Sequence, residues 1–217
     1  ISGKGLNGEL PDRWQNVPVV KSTGAFGATL TTPSGGWYKV EVKAEKGGAD
    51  AASTSVDQVG VGEVFVGAGQ SNSTNSGQFK TQQHSGMVST FSGSDWRIAD
   101  DPQPGVHDRS GGGSFWPAFG DTLFEKYHVP IGVAVTGHGG TSVNQWQPDG
   151  ELHQWMMVRI HQLGVNGFRA VLWHQGESDV NMPVEEYVTK MTNIIASSKR
   201  LAGWEFRFLT RCCRPTF

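Results

Sequence analysis

The chain has 217 residues, a net charge of −2 at pH 7, 18% charged residues and no dense basic run. That balance excludes nucleic acid and an anionic membrane surface as expected partners, and no apolar run approaches the ~20 residues that cross a bilayer. The length suffices for one sizeable domain with its own core and a small appendage. Thirty glycines point to many turns and close backbone approaches, and eight tryptophans fit a core, a carbohydrate-facing surface, or both. The sequence opens at Ile1 with no signal-peptide core, which leaves a mature and a cut form both open. Cys212 and Cys213 are adjacent, a spacing that rarely bridges without strain, so cysteine usage does not fix the compartment.

Residues 1–60 read as a β-rich segment punctuated by Gly, Pro, Ser and Thr, too short to bury a good core alone. Within it, Tyr38 to Lys43 alternates as a half-exposed strand does, with a turn at Gly47-Gly48. Residues 61–217 read as the main domain. It begins with Val64, Phe65 and Val66, a short buried strand that runs into the bend Gly67-Ala68-Gly69 and then Gln70-Ser71-Asn72. The polar segment 72–112 predicts surface loops with little regular structure. Ser114–Tyr127 predicts a helix, from Phe115, Phe119, Leu123 and Tyr127 at four-residue spacing and Pro117 in the first turn. Val129–Thr136 predicts a strand ending in His138-Gly139-Gly140, Leu152–Leu163 a helix, and Phe168–Trp173 a strand closed by His174-Gln175-Gly176. Val184–Leu201 predicts a long helix between Pro183 and Gly203, and Glu205–Leu209 one more strand. Strands alternating with helices predict an α/β fold with a mainly parallel sheet covered on both faces.

Three strand ends thus carry suggestive turns, at Ser71, at Gly139-Gly140 and at Gln175. Acyl transfer needs a nucleophile and donors aimed at the developing oxyanion. A serine hydroxyl can be the first; backbone N–H groups and a glutamine amide can be the second. Singly, each has a plain alternative: Ser71 as a cap, the glycine pair as a loop, Gln175 and Glu177 as caps of the next segment. No Gly-x-Ser-x-Gly elbow is present. His138 and His174 lie near the expected crevice, where packing and base roles both fit. Asp149 and His153 stand at i, i+4 without a third ligand at metal spacing.

Gly69-Gln70-Ser71-Asn72, Gly139-Gly140-Thr141-Ser142 with Trp146, and Trp173-His174-Gln175-Gly176-Glu177-Ser178-Asp179 resemble, in order, three blocks of the sialate O-acetylesterase family, which are SGNH hydrolases. The resemblance implies a flavodoxin-like three-layer α/β/α domain acting on acetylated carbohydrate, with no metal or organic cofactor. It implies Ser71 as nucleophile and an oxyanion hole of Ser71 N–H, Gly140 N–H and the Gln175 side chain. Asn72, Asn144, Trp146, His174 and Glu177 are the expected substrate contacts; in a binding-only protein, Trp146, Trp173 and the polar loop would form a sugar-stacking surface. The family's base comes from an Asp-x-x-His block, and none occurs in this sequence, whose last residues Thr210–Phe217 do not resemble the family's continuation. The expectation is therefore an acetylesterase whose base is missing, or is replaced by His138 or His174; the alternative is a non-catalytic carbohydrate-binding protein of the same descent.

Overall fold

The computed structural model describes residues 1–11 and 13–212. Cys213, and with it the vicinal cysteine pair, lies outside the described residues, as does the tail that follows it. Contacts divide the chain into two units, Ile1–Gly62 with His128–Pro130, and Glu63–Tyr127 with Ile131–Phe217.

In the first unit, strands β1 (Gly35–Lys46) and β2 (Ala49–Val61) form an antiparallel hairpin across Gly47-Gly48. The Tyr38 side chain is its buried anchor and donates from its hydroxyl to the Pro33 carbonyl at 2.9 Å. Most of β2 is exposed, so main-chain pairing and β-branched residues such as Thr54 and Val56 carry this ribbon.

The second unit holds β3 (Glu63–Gly69), β4 (Val88–Phe91), β5 (Trp96–Ile98), α1 (Trp116–Tyr127), β6 (Ile131–Val135), α2 (Glu151–Leu163), β7 (Ala170–Gln175), α3 (Val184–Ala202) and β8 (Arg207–Cys212). The sheet order is β5-β4-β6-β3-β7-β8, parallel at every junction except the antiparallel edge strand β5. Strand β3 alternates between two apolar layers, which is why it reads as an uninterrupted hydrophobic run. Phe65 meets Phe119 of α1 edge-on at 5.4 Å, and the Gly67 α-carbon lies under the buried Trp116 ring. Val66 and Ala68 point the other way, into a core with Met156 and Ile160 of α2, Trp173 of β7, and Tyr187, Met191 and Ile194 of α3. The result is helix, sheet, helix in three layers.

Local signals explain the helix ends. Pro117 sits in the first turn of α1, where its missing N–H has no partner to lose. In α3, Glu185 and Glu186 occupy the first turn and Lys199 and Arg200 the last, each favourable to the helix dipole, and Gly203 at φ 83° stops the helix. The segment 72–112 is more ordered than its composition suggests. It contributes β4 and β5, whose short runs are below the length at which periodicity is legible. Asn75 binds it together, donating to the Gln103 and Ser110 carbonyls and accepting from the Gln103 N–H.

His153 makes no ligand cluster with Asp149; its ring is fully buried in α2, within 3.1 Å of the Ser198 hydroxyl. Burial pushes its pKa down, and the charge of Arg200 adds to this, against opposing effects of Ile194 and Asp149. The folded state therefore resists protonation that the unfolded chain accepts near pH ~6.5. The stability it contributes is complete above that pH and is lost as pH falls from there toward the depressed folded value. Thermal unfolding followed from pH 7.5 to 5 should show this fall, and His153→Gln should flatten it.

Candidate active site

The central strand β3 lies between β6 and β7; the chain builds β4, β5 and β6 on one side of it before crossing to β7 and β8 on the other, so its carboxyl end is a switch point where ligand crevices form. Three turns meet there. The Gln70 N–H donates to the His174 carbonyl at 3.0 Å, and the His138 N–H donates to the Gly69 carbonyl at 2.9 Å. Gly69 is required by this approach: its φ is +120°, and a Cβ would fall 2.1 Å from the His174 oxygen.

Ser71 opens a single 3₁₀ turn, Ser71–Ser73, directly beyond β3. Its carbonyl accepts from the Thr74 N–H and the Thr74 hydroxyl, which leaves its own side chain at the partly open mouth. The α-carbon of Gly139 lies against it, since a Cβ there would stand 3.7 Å from Ser71 Cβ. Among the described residues, the N–H groups of Ser71 and Gly140 donate to no protein acceptor, and Ser71 Oγ makes no hydrogen bond. Gly140 is exposed at φ +70°.

Gln175 is fully buried behind this mouth. The expected oxyanion donor has its amide nitrogen engaged by the Thr141 carbonyl at 3.0 Å, Gln70 Oε1 at 3.2 Å and Asp179 Oδ2, while its oxygen accepts from the Tyr187 hydroxyl at 2.8 Å. Asp179 also receives Ser142 Oγ at 2.5 Å and the Val143 N–H at 2.8 Å. Gln70 Oε1 accepts further from the Gly176 and Ser178 N–H groups, both at 3.2 Å. The three turns are thus locked together beneath the surface by buried amides and one carboxylate.

The expected substrate contacts divide. Asn72 is exposed at the rim and donates to Glu177 Oε1 at 2.5 Å, and Asn144 is exposed on the turn after Ser142. His174 is half-buried on the α1 face of β7, its ring 6.5 Å from Phe115, which is 40% exposed. Trp146 does not belong with them. It is fully buried, packs edge-on against Trp173 at 5.1 Å and donates from Nε1 to Thr141 Oγ1 at 3.0 Å. Trp173 is only 2% exposed, so neither ring offers a face to a sugar. Both alternate inward, Trp173 by the period of β7 and Trp146 from the buried side of its 3₁₀ turn.

The sequence reading missed His107 and Asp108, which the loop before α1 brings to the glycine turn. The His107 N–H donates to the Gly137 carbonyl at 2.8 Å, and Asp108 Oδ2 accepts from the Gly139 N–H at 2.6 Å. Burial pushes the Asp108 carboxyl up, but hydrogen bonds from Ser110 and Gly139 and the neighbouring His138 outweigh it and hold the group below the usual carboxylate range. His107 and His138 join Nδ1 to Nδ1 at 2.7 Å, and His107 Nε2 lies 3.2 Å from Glu151 Oε1. A carboxylate only accepts, so His107 carries its proton on Nε2; when neutral it accepts at Nδ1, and His138 donates. His107 and Asp108 fall within a polar stretch of no period, so no local signal marks them.

Residues 61–205 match the family described as carbohydrate esterase, sialic acid-specific acetylesterase. No curated protein matches the sequence. Among solved structures, a protein of Arabidopsis thaliana is similar at 20% identity and a TM-score of 0.57, covering 68% of this chain and 72% of that one. A carbohydrate acetylesterase of Xanthomonas citri is similar at 18% identity and a TM-score of 0.54; the match covers 86% of this chain and 49% of that protein. At these identities the two structures speak for the fold. The family match spans more than half of the sequence and the turns described above, and this chain therefore belongs to the carbohydrate esterase family of sialic acid-specific acetylesterases.

Proposed function

We propose that this chain hydrolyses O-acetyl esters of sugars through an acyl-serine on Ser71. One observation carries the reading: Ser71 and the Gly139-Gly140 turn, far apart in sequence, touch at the carboxyl end of the central strand with two main-chain donors uncommitted. In this scheme Ser71 Oγ attacks the acetyl carbonyl as its proton passes to a general base. The oxyanion forms against the N–H groups of Ser71 and Gly140. The tetrahedral intermediate expels the sugar hydroxyl, which takes up the proton, and water then releases acetate from the serine. Gln175 and Asp179 hold the donors in place from below. Asn72, Asn144, His174 and Glu177 face the sugar, and Phe115 supplies the exposed aromatic surface that Trp146 does not.

A fluorophosphonate probe tests this directly: it should attach to the peptide containing Ser71. Absence of adduct would support the second reading, a sugar-binding protein without turnover, which is favoured by the lack of a hydrogen bond from Ser71 Oγ to any imidazole among the described residues.

Asp108 serves this scheme as a positioning residue. Fixing the Gly139 N–H turns the next peptide so that the Gly140 N–H stays available. Asp108→Ala should lower kcat for p-nitrophenyl acetate by up to roughly 10²-fold with little change in KM, the cost of a misplaced donor. Asp108→Asn keeps an acceptor for Gly139 and should recover most of the loss.

A further inference from the structure

His107 and His138 stand 31 residues apart in the chain, and their rings meet Nδ1 to Nδ1 at 2.7 Å. The loop of His107 is tied to the glycine turn at two further points, by the His107 N–H on the Gly137 carbonyl at 2.8 Å and by the Gly139 N–H on Asp108 Oδ2 at 2.6 Å. His107 is also held from behind. Its Nε2 lies 3.2 Å from Glu151 Oε1 in the first turn of α2, and the Trp155 ring stands edge-on to it at 5.3 Å. His138 Nε2 makes no hydrogen bond among the described residues. Of the charged groups on the surrounding elements, Asp108 sits beside His138 and Glu151 holds His107. Arg109 on the same loop is exposed, and Arg159 of α2 lies against the Trp155 ring at 5.9 Å.

A contact of this kind is a hydrogen bond only while one Nδ1 carries a proton and the other a lone pair. With its Nε2–H directed at Glu151, His107 offers the lone pair. One added proton leaves the bond intact. It goes to His138 Nε2, and the imidazolium then donates more strongly from Nδ1. A second proton has only His107 Nδ1 to go to. There it sets two N–H groups head to head and adds a second positive charge, a repulsion that Asp108 and Glu151 lessen without removing. Uptake of the second proton and rupture of the bond are thus one event, and both protons belong to the pair rather than to either ring.

We propose that the His107–His138 pair is an acid-sensitive clasp on the Gly139-Gly140 turn, closed with none or one added proton and opened by the second. Glu151 keeps His107 in place, so His138 is the ring that moves. Gly139 and Gly140 follow it with no side chains to anchor them, and the displacement passes to the Gly140 N–H. The clasp stands whatever Ser71 does; only its consequence for turnover rests on the acyl-serine reading.

The test follows the full ¹⁵N-labelled chain from pH 7.5 to 5, which spans the ordinary histidine value of about 6.5. At pH 7.5 a scalar coupling across the N–H···N bond should join the two Nδ1 nuclei. On acidification the coupling should vanish as both rings become imidazolium, and the Gly139 and Gly140 amides should move in the same step. His107→Gln keeps an acceptor for His138 and cannot take up a proton, so its turn amides should show only the smaller shift of a singly protonated His138. No coupling at pH 7.5, a coupling that survives at pH 5, or turn amides that stay still as it vanishes would each overturn the clasp. The wild-type titration decides this even if the variant does not fold. With p-nitrophenyl acetate, the wild-type kcat should fall between pH 7.5 and 5 by up to roughly 10²-fold more than that of His107→Gln, the effect of a misplaced donor. A chain without turnover that still shows the spectroscopic step keeps the clasp and loses the acyl-serine reading alone.

Discussion

Ser71→Ala should reduce acetyl-ester hydrolysis to the buffer rate and abolish fluorophosphonate labelling, while leaving the unfolding midpoint where it was. Removal of the nucleophile in serine hydrolases costs roughly 10⁴–10⁶ in kcat. The unchanged stability follows from the local structure. Ser71 Oγ holds nothing in place, and the bonds that shape its turn run to its main-chain carbonyl, from Thr74. A surface-facing hydroxyl of this kind is worth within about 0.5 kcal/mol. Ser73→Ala is the matched control. That hydroxyl is buried and donates to the Gln70 carbonyl at 2.7 Å, so its loss should cost on the order of 1 kcal/mol with Ser71 intact. A Ser71→Ala enzyme that turns over p-nitrophenyl acetate like wild type would end the acyl-serine mechanism. A variant that merely unfolds would contradict the claim that the turn is held by its backbone.

The parts of this molecule that repeat a local rule were legible before any coordinates. The β3 run into Gly67-Ala68-Gly69 marked the central strand, the four-residue spacing from Phe115 marked α1, and Pro183 and Gly203 bracketed α3. What was not legible depends on partners remote in sequence. Strand β4 exists because the edge of β6 offers it a ladder, and β5 because β4 does; nothing in Val88–Phe91 alone distinguishes it from loop. Trp146 follows a glycine turn as a sugar-stacking residue would, but which way a ring points is set by packing, here against Trp173. Asp108 and His107 matter because two loops 31 residues apart meet, a closure that composition does not encode. The convergence of the three turns was therefore readable in the strand ends, and what braces them was not.

Gln175 shows the difference most sharply, and its replacement should be the more damaging to the fold. Gln175→Leu removes one hydrogen bond each from the Tyr187 hydroxyl, the Thr141 carbonyl and Asp179 at a fully buried position. Each lost bond costs on the order of 1 kcal/mol, and more for the one to the Asp179 carboxylate, so a loss of roughly 3 kcal/mol is expected even after relaxation. In a domain of this size that lowers the midpoint by on the order of 10 °C. Gln175→Glu keeps the acceptor for Tyr187 but turns the amide nitrogen into an oxygen facing Gln70 Oε1, the Thr141 carbonyl and Asp179. Burial and the neighbouring Asp179 would raise the pKa of the introduced carboxyl in the folded state. Its protonated form restores a donor, so this variant should gain stability as pH falls from 7 to 5 and lose it as pH rises, the reverse of the trend set by His153. Kinetics at a temperature where the Leu variant is folded then separates the two roles open to Gln175. If it only braces the turns, kcat per folded molecule drops by less than about tenfold. A direct hydrogen bond to the oxyanion would instead cost roughly 10²–10³ in kcat, and that result would mean the amide leaves Thr141 or Asp179 when substrate arrives.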